Sequence, residues 1–174
     1  MCVTGTPIAE VVRHHALTDG WLEWSTVDVD TRAAAYFPIS GTVLQFESIF
    51  GSENEWVDVA QFQVHEVHTG TAIKAPLRIY LYANATPGTA PVVGTIYQAP
   101  FANWIGTIDV AAADYKRLND LEEIATVRAS LPMIKNGTTG INSAWAVAVG
   151  SAAGGYDYAA SAQLFGRLAM IPKA

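Results

Sequence analysis

The chain has 174 residues, of which 51% are hydrophobic and only 15% are Asp, Glu, Lys or Arg, and its formal net charge is −6. A single cysteine, Cys2, excludes an internal disulfide framework. The Lys and Arg residues are scattered rather than gathered into the basic patch or arm that a nucleic-acid binder normally carries. No apolar run has the length of a membrane span, so neither direct nucleic-acid binding nor membrane insertion is expected.

Most of the chain is expected to form one domain. A chain of this length can bury roughly 70% of its unfolded surface, and no linker, charge block or internal repeat divides it. The first twenty residues are poor in strand pattern, and residues 1–10 contain neither Lys nor Arg. We therefore predict an N-terminal arm over 1–20 and a single domain over 21–174. No charged region precedes an apolar segment near residue 1, so no signal peptide is expected.

Alternating apolar and polar side chains, separated by Gly, Pro, Asn and Thr, predict about eight strands. The predicted strands cover residues 21–29, 42–50, 56–68, 77–83, 104–110, 126–133, 144–150 and 162–171. The strand over 77–83 alternates most regularly. Within 56–68 the alternation loses its phase at Asp58 and again at Glu66 and Val67, as a bulge or bend would cause.

One segment, 114–124, departs from the strand pattern. Its apolar residues recur at three-residue steps, at Tyr115, Leu118, Leu121 and Ile124. Asp114 precedes them and could serve as an N-cap. The spacing predicts a single short helix packed over one end of the strands, and an ordered loop is the alternative.

Eight strands with turns at this spacing indicate an all-β fold with two antiparallel sheets packed as a sandwich. Several connections are long, which favours a jelly roll over an up-and-down barrel. An immunoglobulin-like sandwich is the alternative, although the Cys…Trp…Cys pattern of that fold is missing. We therefore predict a jelly-roll-like β-sandwich with one short helix.

Few residues are arranged for catalysis or metal binding. The sequence has no nucleophile elbow, phosphate-binding loop, dinucleotide fingerprint or zinc-spaced cysteine pair. His65 and His68 would lie on opposite faces of a regular strand, so they could share a metal ion only across a bulge. Acidic residues that could form a glycosidase pair are Glu53, Glu55, Asp58, Asp120, Glu122 and Glu123. These lie in turn-like or helix-surface contexts, so we assign no catalytic, cofactor-binding or metal-ligating residue.

The predicted strand over 144–150 suggests how the sheets are used. Trp145 is followed by two valines on its own face, which is typical of a core, whereas the alternate face carries only alanine and glycine. A sheet face without charge is a predicted interface when it lies in water. Aromatic side chains are the usual anchors of protein interfaces. The predicted contact residues are therefore Trp21, Trp24, Tyr80, Tyr82, Ala146 and Ala148.

Three segments of the C-terminal half occur in a familiar order. PLRIYLYA at 76–83 is followed by a Pro/Thr-rich loop, then by IGTIDV and an Ala-Ala-Ala-Asp run, and finally by SAQLFGRL at 161–168. In strand order and loop composition, this region resembles the decoration, or cement, proteins of tailed bacteriophages. The resemblance covers roughly residues 76 to 171.

The resemblance implies a non-enzymatic virion protein that binds the outer surface of an icosahedral capsid and stabilises the mature shell. Its partners would be the major capsid protein and further copies of itself, as a homotrimer in preference to a homodimer. The protein would be made in the host cytoplasm and reside on the capsid exterior, with no cofactor, no direct nucleic-acid contact and no membrane. The alternative is a carbohydrate-binding or fibre-head β-sandwich module, whose exposed Trp and Tyr would stack on sugars.

Overall fold

The strands of the protein pair antiparallel in two sheets that pack against each other, as a computed structural model of the chain shows. The structure describes residues 16–17, 21–24, 36–47, 49, 56–134, 143–151 and 163–173. This arrangement confirms the predicted all-β sandwich. In the part of the chain so described, no helix is long and apolar enough to cross a membrane.

Ten strands and one short 3₁₀ helix make up the described fold. The strands are β1 Ala16–Leu17, β2 Leu22–Glu23, β3 Leu44–Glu47, β4 Trp56–Val67, β5 Leu77–Ala83, β6 Trp104–Val110, β7 Tyr115–Arg117, β8 Glu122–Ile134, β9 Ser143–Gly150 and β10 Gln163–Lys173. The 3₁₀ helix spans Ala112–Asp114. The six-stranded sheet has the order β1-β10-β4-β8-β7, with β2 also paired to β10. The four-stranded sheet has the order β3-β9-β5-β6.

The connections between the sheets are those of a jelly roll. The chain crosses from one sheet to the other after β2, β3, β4, β6, β8 and β9. The sheets therefore contain β2-β10-β4-β8 and β3-β9-β5-β6, which is the double Greek-key arrangement of eight strands. This strand order agrees with the jelly-roll-like prediction.

The predicted helix over 114–124 is wrong. Tyr115 instead begins β7, where it pairs with Ala125 of β8, and its buried hydroxyl donates a hydrogen bond to the Ala75 carbonyl at 3.2 Å. Leu118 and Leu121 are more than half exposed, so this segment has no apolar stripe to bury as a helix. The three-residue spacing arose from an edge strand followed by a bend.

β4 contains one of the two irregularities predicted for it. The register with β8 shifts between Val59 and Gln61, close to the predicted phase loss at Asp58. The second, at Glu66 and Val67, is wrong because the pairing continues without interruption to Val67. Because the pairing is uninterrupted, the Glu66 side chain points into the sandwich on the same face as Phe62 and Val64. The apparent loss of phase in the sequence is therefore a buried polar residue at a position where an apolar one is expected.

The two sheets enclose a core in which the close approach of strands depends on a glycine. Gly166 of β10 lies against Leu44 and Trp24, and a Cβ at this position would be 2.6 Å from the Leu44 Cδ1 atom.

Ala16 and Leu17, within the predicted N-terminal arm, pair with β10 of the same domain. The other residues of 1–20 lie outside the described part of the chain.

Candidate interaction surface

The small-residue face of β9 lies inside the sandwich. Ala146 and Ala148 belong to the inter-sheet core together with Phe62 of the opposite sheet. Trp145, on the alternate face of β9, points away from this core. The expectation that the alanines face outward is therefore wrong, because β9 is central in its sheet and small residues there leave space for large side chains from the facing strands.

The outer face of the four-stranded sheet is covered by the connection between β5 and β6, residues 84–103. Asn84 and Asn103, at its two ends, have positive φ angles of 65° and 61°. The amide of Ala83 donates to the carbonyl of Asn103 at 2.9 Å, which closes the loop. We call residues 84–103 the covering loop, because it turns the outer face of this sheet into a second buried cluster.

Tyr97 holds the covering loop against the sheet. Its hydroxyl lies 3.0 Å from that of Tyr82, its ring centroid is 5.4 Å from that of Tyr80, and its amide donates to the carbonyl of Tyr36. Burial raises the pKa of the Tyr82 and Tyr97 hydroxyls, because the charged phenolate is poorly solvated there. Tyr82 is therefore a structural residue beneath the loop.

The solvent side of the covering loop is uncharged and carries several exposed apolar side chains. No charged residue occurs between Arg78 and Asp109, yet Val92, Ile96 and Phe101 are all more than half exposed. Phe101 is 86% exposed, and its ring packs edge-on against that of Trp104 with centroids 6.2 Å apart. Single exposed apolar residues are ordinary, but several within one uncharged segment indicate an interaction site.

Trp104 also forms one wall of a cleft of about 290 Å³ beside the edge of the sandwich. The cleft is lined by Ala83, Asn84, Asn103, Trp104, Ile105, Pro132, Met133 and Ile134. None of these side chains carries a charge, and the Asn84 amide donates to the Ile134 carbonyl at 2.9 Å, which fixes one side of the cleft. Trp56, about half exposed, pairs with Ile134 across the strands. We call this cleft, together with Trp56 and Phe101, the aromatic cleft.

Four of the six predicted contact residues are buried within the chain itself. Trp24, Tyr82, Ala146 and Ala148 are at most 2% exposed, so the prediction that they contact a partner is wrong for the fold as described. The underlying reason is that alternation gives two faces for each strand but does not say which one is covered by another part of the chain.

Trp21 and Tyr80 remain partly exposed, and their contact role stays a prediction. Trp21 lies on the outer side of the six-stranded sheet, where the Arg167 guanidinium is 4.4 Å from its ring centroid and the His65 ring is 5.2 Å away. Tyr80 lies against Tyr97 at the border of the covering loop.

The aromatic cleft was missed by reasoning from strand periodicity. Its residues lie at strand ends and in a loop rich in Pro and Gly, and alternation is uninformative there. The signal that could have located it is the long interval without charge between Arg78 and Asp109. Exposure, rather than residue type, then separates Phe101 and Trp104 from the buried aromatic residues.

The histidines and acidic residues that the structure describes do not converge on a common ion. Within the described ranges, no group of three or more His, Cys, Asp or Glu side chains could hold a metal ion. His65 lies on the outer face of β4, and His68 follows the end of that strand. Glu53 and Glu55 lie outside the described residues. Glu123, in contrast, is buried and forms an ion pair with Lys74 at 3.0 Å.

Comparison with known proteins adds no family to this description. No protein-family model and no curated protein sequence matches the chain. The jelly roll, the covering loop and the aromatic cleft are therefore the features from which a function can be inferred.

Proposed function

We propose that the protein is a structural, non-enzymatic virion component that binds the outer surface of an icosahedral phage capsid and stabilises the mature shell. The observation that carries this proposal is the aromatic cleft, an uncharged surface of exposed rings on a jelly-roll scaffold. The sequence resemblance to decoration proteins supplies the partner, which is the major capsid protein.

The chemistry of the aromatic cleft supports binding to another protein. Trp56, Phe101 and Trp104 are large side chains of the type that anchors interfaces. Fully burying one such side chain contributes about 1.5–3 kcal/mol. Since none of the described side chains that line the cleft carries a charge, their burial does not require an ion to lose its hydration.

Binding of this kind would stabilise a shell by mass action. A protein that binds only the mature lattice shifts the equilibrium toward that lattice by an amount set by its affinity and concentration. A homotrimer, which we favour over a homodimer, would engage the shell at several points and gain avidity from its linked sites. Modest affinity at each aromatic cleft would therefore suffice.

The proposal is tested with undecorated mature shells. We expect the protein to co-sediment with these shells and to raise the temperature at which they release their contents. Phe101→Ser and Trp104→Ala should each weaken binding by about tenfold or more, because each loses roughly 1.5–3 kcal/mol of buried apolar contact. Leu118→Ser is the matched control, since Leu118 is also exposed but lies on the bend between β7 and β8.

Two results would contradict the proposal. One is that the protein fails to bind any mature shell although it is correctly folded. The other is that it binds, but that Phe101→Ser and Trp104→Ala bind as well as Leu118→Ser does, which would remove the aromatic cleft from the interface.

The outer face of the six-stranded sheet favours a second candidate, a carbohydrate-binding or fibre-head module. Here Arg167 donates from Nε and Nη2 to the Gln63 side-chain oxygen at 3.0 and 2.6 Å and lies over the Trp21 ring. An aromatic ring beside amide and guanidinium groups is a combination that can both stack on a sugar and hydrogen-bond to it. Glycan-array binding that is lost in Trp21→Ala and unaffected by Phe101→Ser would favour this candidate over capsid decoration.

A further inference from the structure

A second, strongly polar cleft lies at the other end of β4 from the aromatic cleft. Trp56 begins this strand beside the aromatic cleft, and the polar cleft follows the end of the strand at Val67. Its volume is about 310 Å³, and it is lined by His68, Gly70, Thr71, Ala72, Lys74, Arg117, Asp120 and Glu123. Five of these eight residues are ionisable, so the chemistry differs completely from that of the aromatic cleft.

The wall of the polar cleft is held in place by a buried carboxylate. Glu66 accepts hydrogen bonds from the amides of Ile73 and Lys74 at 2.6 and 2.9 Å, and this ties the connection between β4 and β5 to the sheet. Lys74 has a positive φ of 52°, and its ammonium lies 3.0 Å from the Glu123 Oε1 atom. The backbone of this wall and the ammonium group of Lys74 are therefore held in defined positions.

Within the described part of the chain, two buried polar atoms in this wall have no hydrogen-bond partner. They are Oε2 of Glu123 and Nδ1 of His68, in side chains that belong to residues only 4% and 7% exposed. Buried polar atoms in native proteins are nearly always paired, because leaving one unpaired forfeits the hydration it had in water. The unpartnered carboxylate oxygen of Glu123 can accept a hydrogen bond, so the missing partner is a donor.

At the rim of the polar cleft, the group available to a ligand is a cation, Arg117, whereas in the wall it is the Glu123 carboxylate. Arg117 pairs with Asp120, donates from Nε to the Asn119 carbonyl, and is 64% exposed, while Asp120 is 93% exposed. Ion pairs this exposed contribute little, so Arg117 can exchange Asp120 for another anion at small cost. A guanidinium binds a carboxylate or a phosphate through two parallel hydrogen bonds, and a carboxylate brings only one negative charge beside Glu123 and Asp120.

We propose that the polar cleft binds a small zwitterion, a free amino acid with an ammonium group for Glu123 and a carboxylate for Arg117. The lining disfavours the other common classes of small ligand. Among the described residues that line the cleft, none is Trp, Tyr or Phe, the rings on which sugars usually stack, and the one ring present, that of His68, is buried. The carboxylates of Glu123 and Asp120 oppose a polyanion such as a nucleotide. The volume of about 310 Å³ lies at the small end of ligand sites.

The test is a titration of the full chain with amino acids of increasing length. Glycine, β-alanine, 4-aminobutanoate and lysine are titrated by calorimetry at millimolar concentrations, and the thermal unfolding midpoint is followed in parallel. At least one of them should bind and raise the midpoint. N-acetylglycine, acetate and ethylamine, each of which lacks one of the two charges, should bind at least about tenfold more weakly, because each loses one charge-assisted contact.

Variants of the rim separate binding in the polar cleft from binding elsewhere. Arg117→Ala should weaken binding by about tenfold or more, and Asp120→Ala should strengthen it, because Asp120 competes for Arg117. Both side chains are exposed, so neither change endangers folding. Arg78→Ala is the matched control, since Arg78 forms an ion pair with Asp109 on a strand of the other sheet.

The proposal is overturned if none of the four amino acids binds, or if acetate or ethylamine binds as tightly as they do. It is also overturned if Arg117→Ala and Arg78→Ala leave the affinity equally unchanged. Binding to capsids is a separate measurement, so its outcome leaves this test unaffected.

Discussion

The hydroxyl groups of Tyr82 and Tyr97 lie 3.0 Å apart and join the covering loop to the sheet beneath it. Tyr82 belongs to β5, and Tyr97 lies fifteen residues further on, in the middle of the covering loop. Without this loop, the outer side of β9 with Trp145 would face water. This buried hydrogen bond therefore acts together with the other contacts of Tyr97 to keep the apolar outer face of the sheet covered.

Tyr97→Ala is expected to destabilise the protein and uncover the outer sheet face. Removing a buried aromatic ring typically costs about 3–5 kcal/mol. The variant should show a lower urea midpoint and should bind a hydrophobic dye under native conditions, because Trp145 and Val147 become accessible. Tyr36→Ala is a suitable comparison, since that ring is partly exposed. Equal stability of the two variants would mean that the loop is not held by Tyr97.

The same tyrosine pair predicts the stability of the protein at alkaline pH. Burial raises the pKa of both hydroxyls above the ordinary tyrosine value of about 10. The unfolded chain therefore loses these protons at lower pH than the folded chain, and the free energy of unfolding should fall as the pH rises above about 10. In the double variant Tyr82→Phe/Tyr97→Phe, this contribution should disappear. Urea titrations at a series of pH values measure the slope, and an equally steep decline in the double variant would contradict the assignment.

Gly166→Ala is expected to disrupt the packing between the sheets. The added Cβ would be 2.6 Å from the Leu44 Cδ1 atom and 2.9 Å from the Trp24 ring, so the neighbours must shift. Overpacking of this kind costs about 1–3 kcal/mol. Gly88→Ala is the matched control, because nothing lies within 4 Å of the Cβ position there. The urea midpoints of the two variants should differ clearly, and similar midpoints would show that the core adapts without cost.

Much of the fold could be predicted because β5 alternates regularly and because turn residues separate it from β6. Their bounds, Leu77–Ala83 and Trp104–Val110, are the same in sequence and structure. β7 was missed because three residues are too short to show a period. The leucines that follow β7, Leu118 and Leu121, are three residues apart as they would be on one face of a helix, but they lie on an exposed bend.

The candidate surfaces could be predicted only in part, because both depend on contacts between segments that are distant in sequence. β9 has an apolar residue on either face, so its own sequence cannot show that a loop covers Trp145 and that the opposite sheet covers Ala146. Similarly, the register of β4 points the Glu66 side chain inward. Its carboxylate can be buried there because the amides of Ile73 and Lys74, which belong to the next connection, donate hydrogen bonds to it.

Glu66→Gln is expected to loosen the connection between β4 and β5. Both oxygens of the Glu66 carboxylate accept backbone amide hydrogens, whereas a glutamine side chain would turn an NH₂ group toward one of them. Leaving a buried amide unpaired costs about 1–3 kcal/mol. Hydrogen exchange at the Ile73 and Lys74 amides should accelerate in this variant, and the urea midpoint should fall. Glu47→Gln is the control, because Glu47 is exposed on an edge strand and should leave both measurements unchanged. If exchange at Ile73 and Lys74 were the same in the two variants, the Glu66 carboxylate would not be what holds this connection to the sheet.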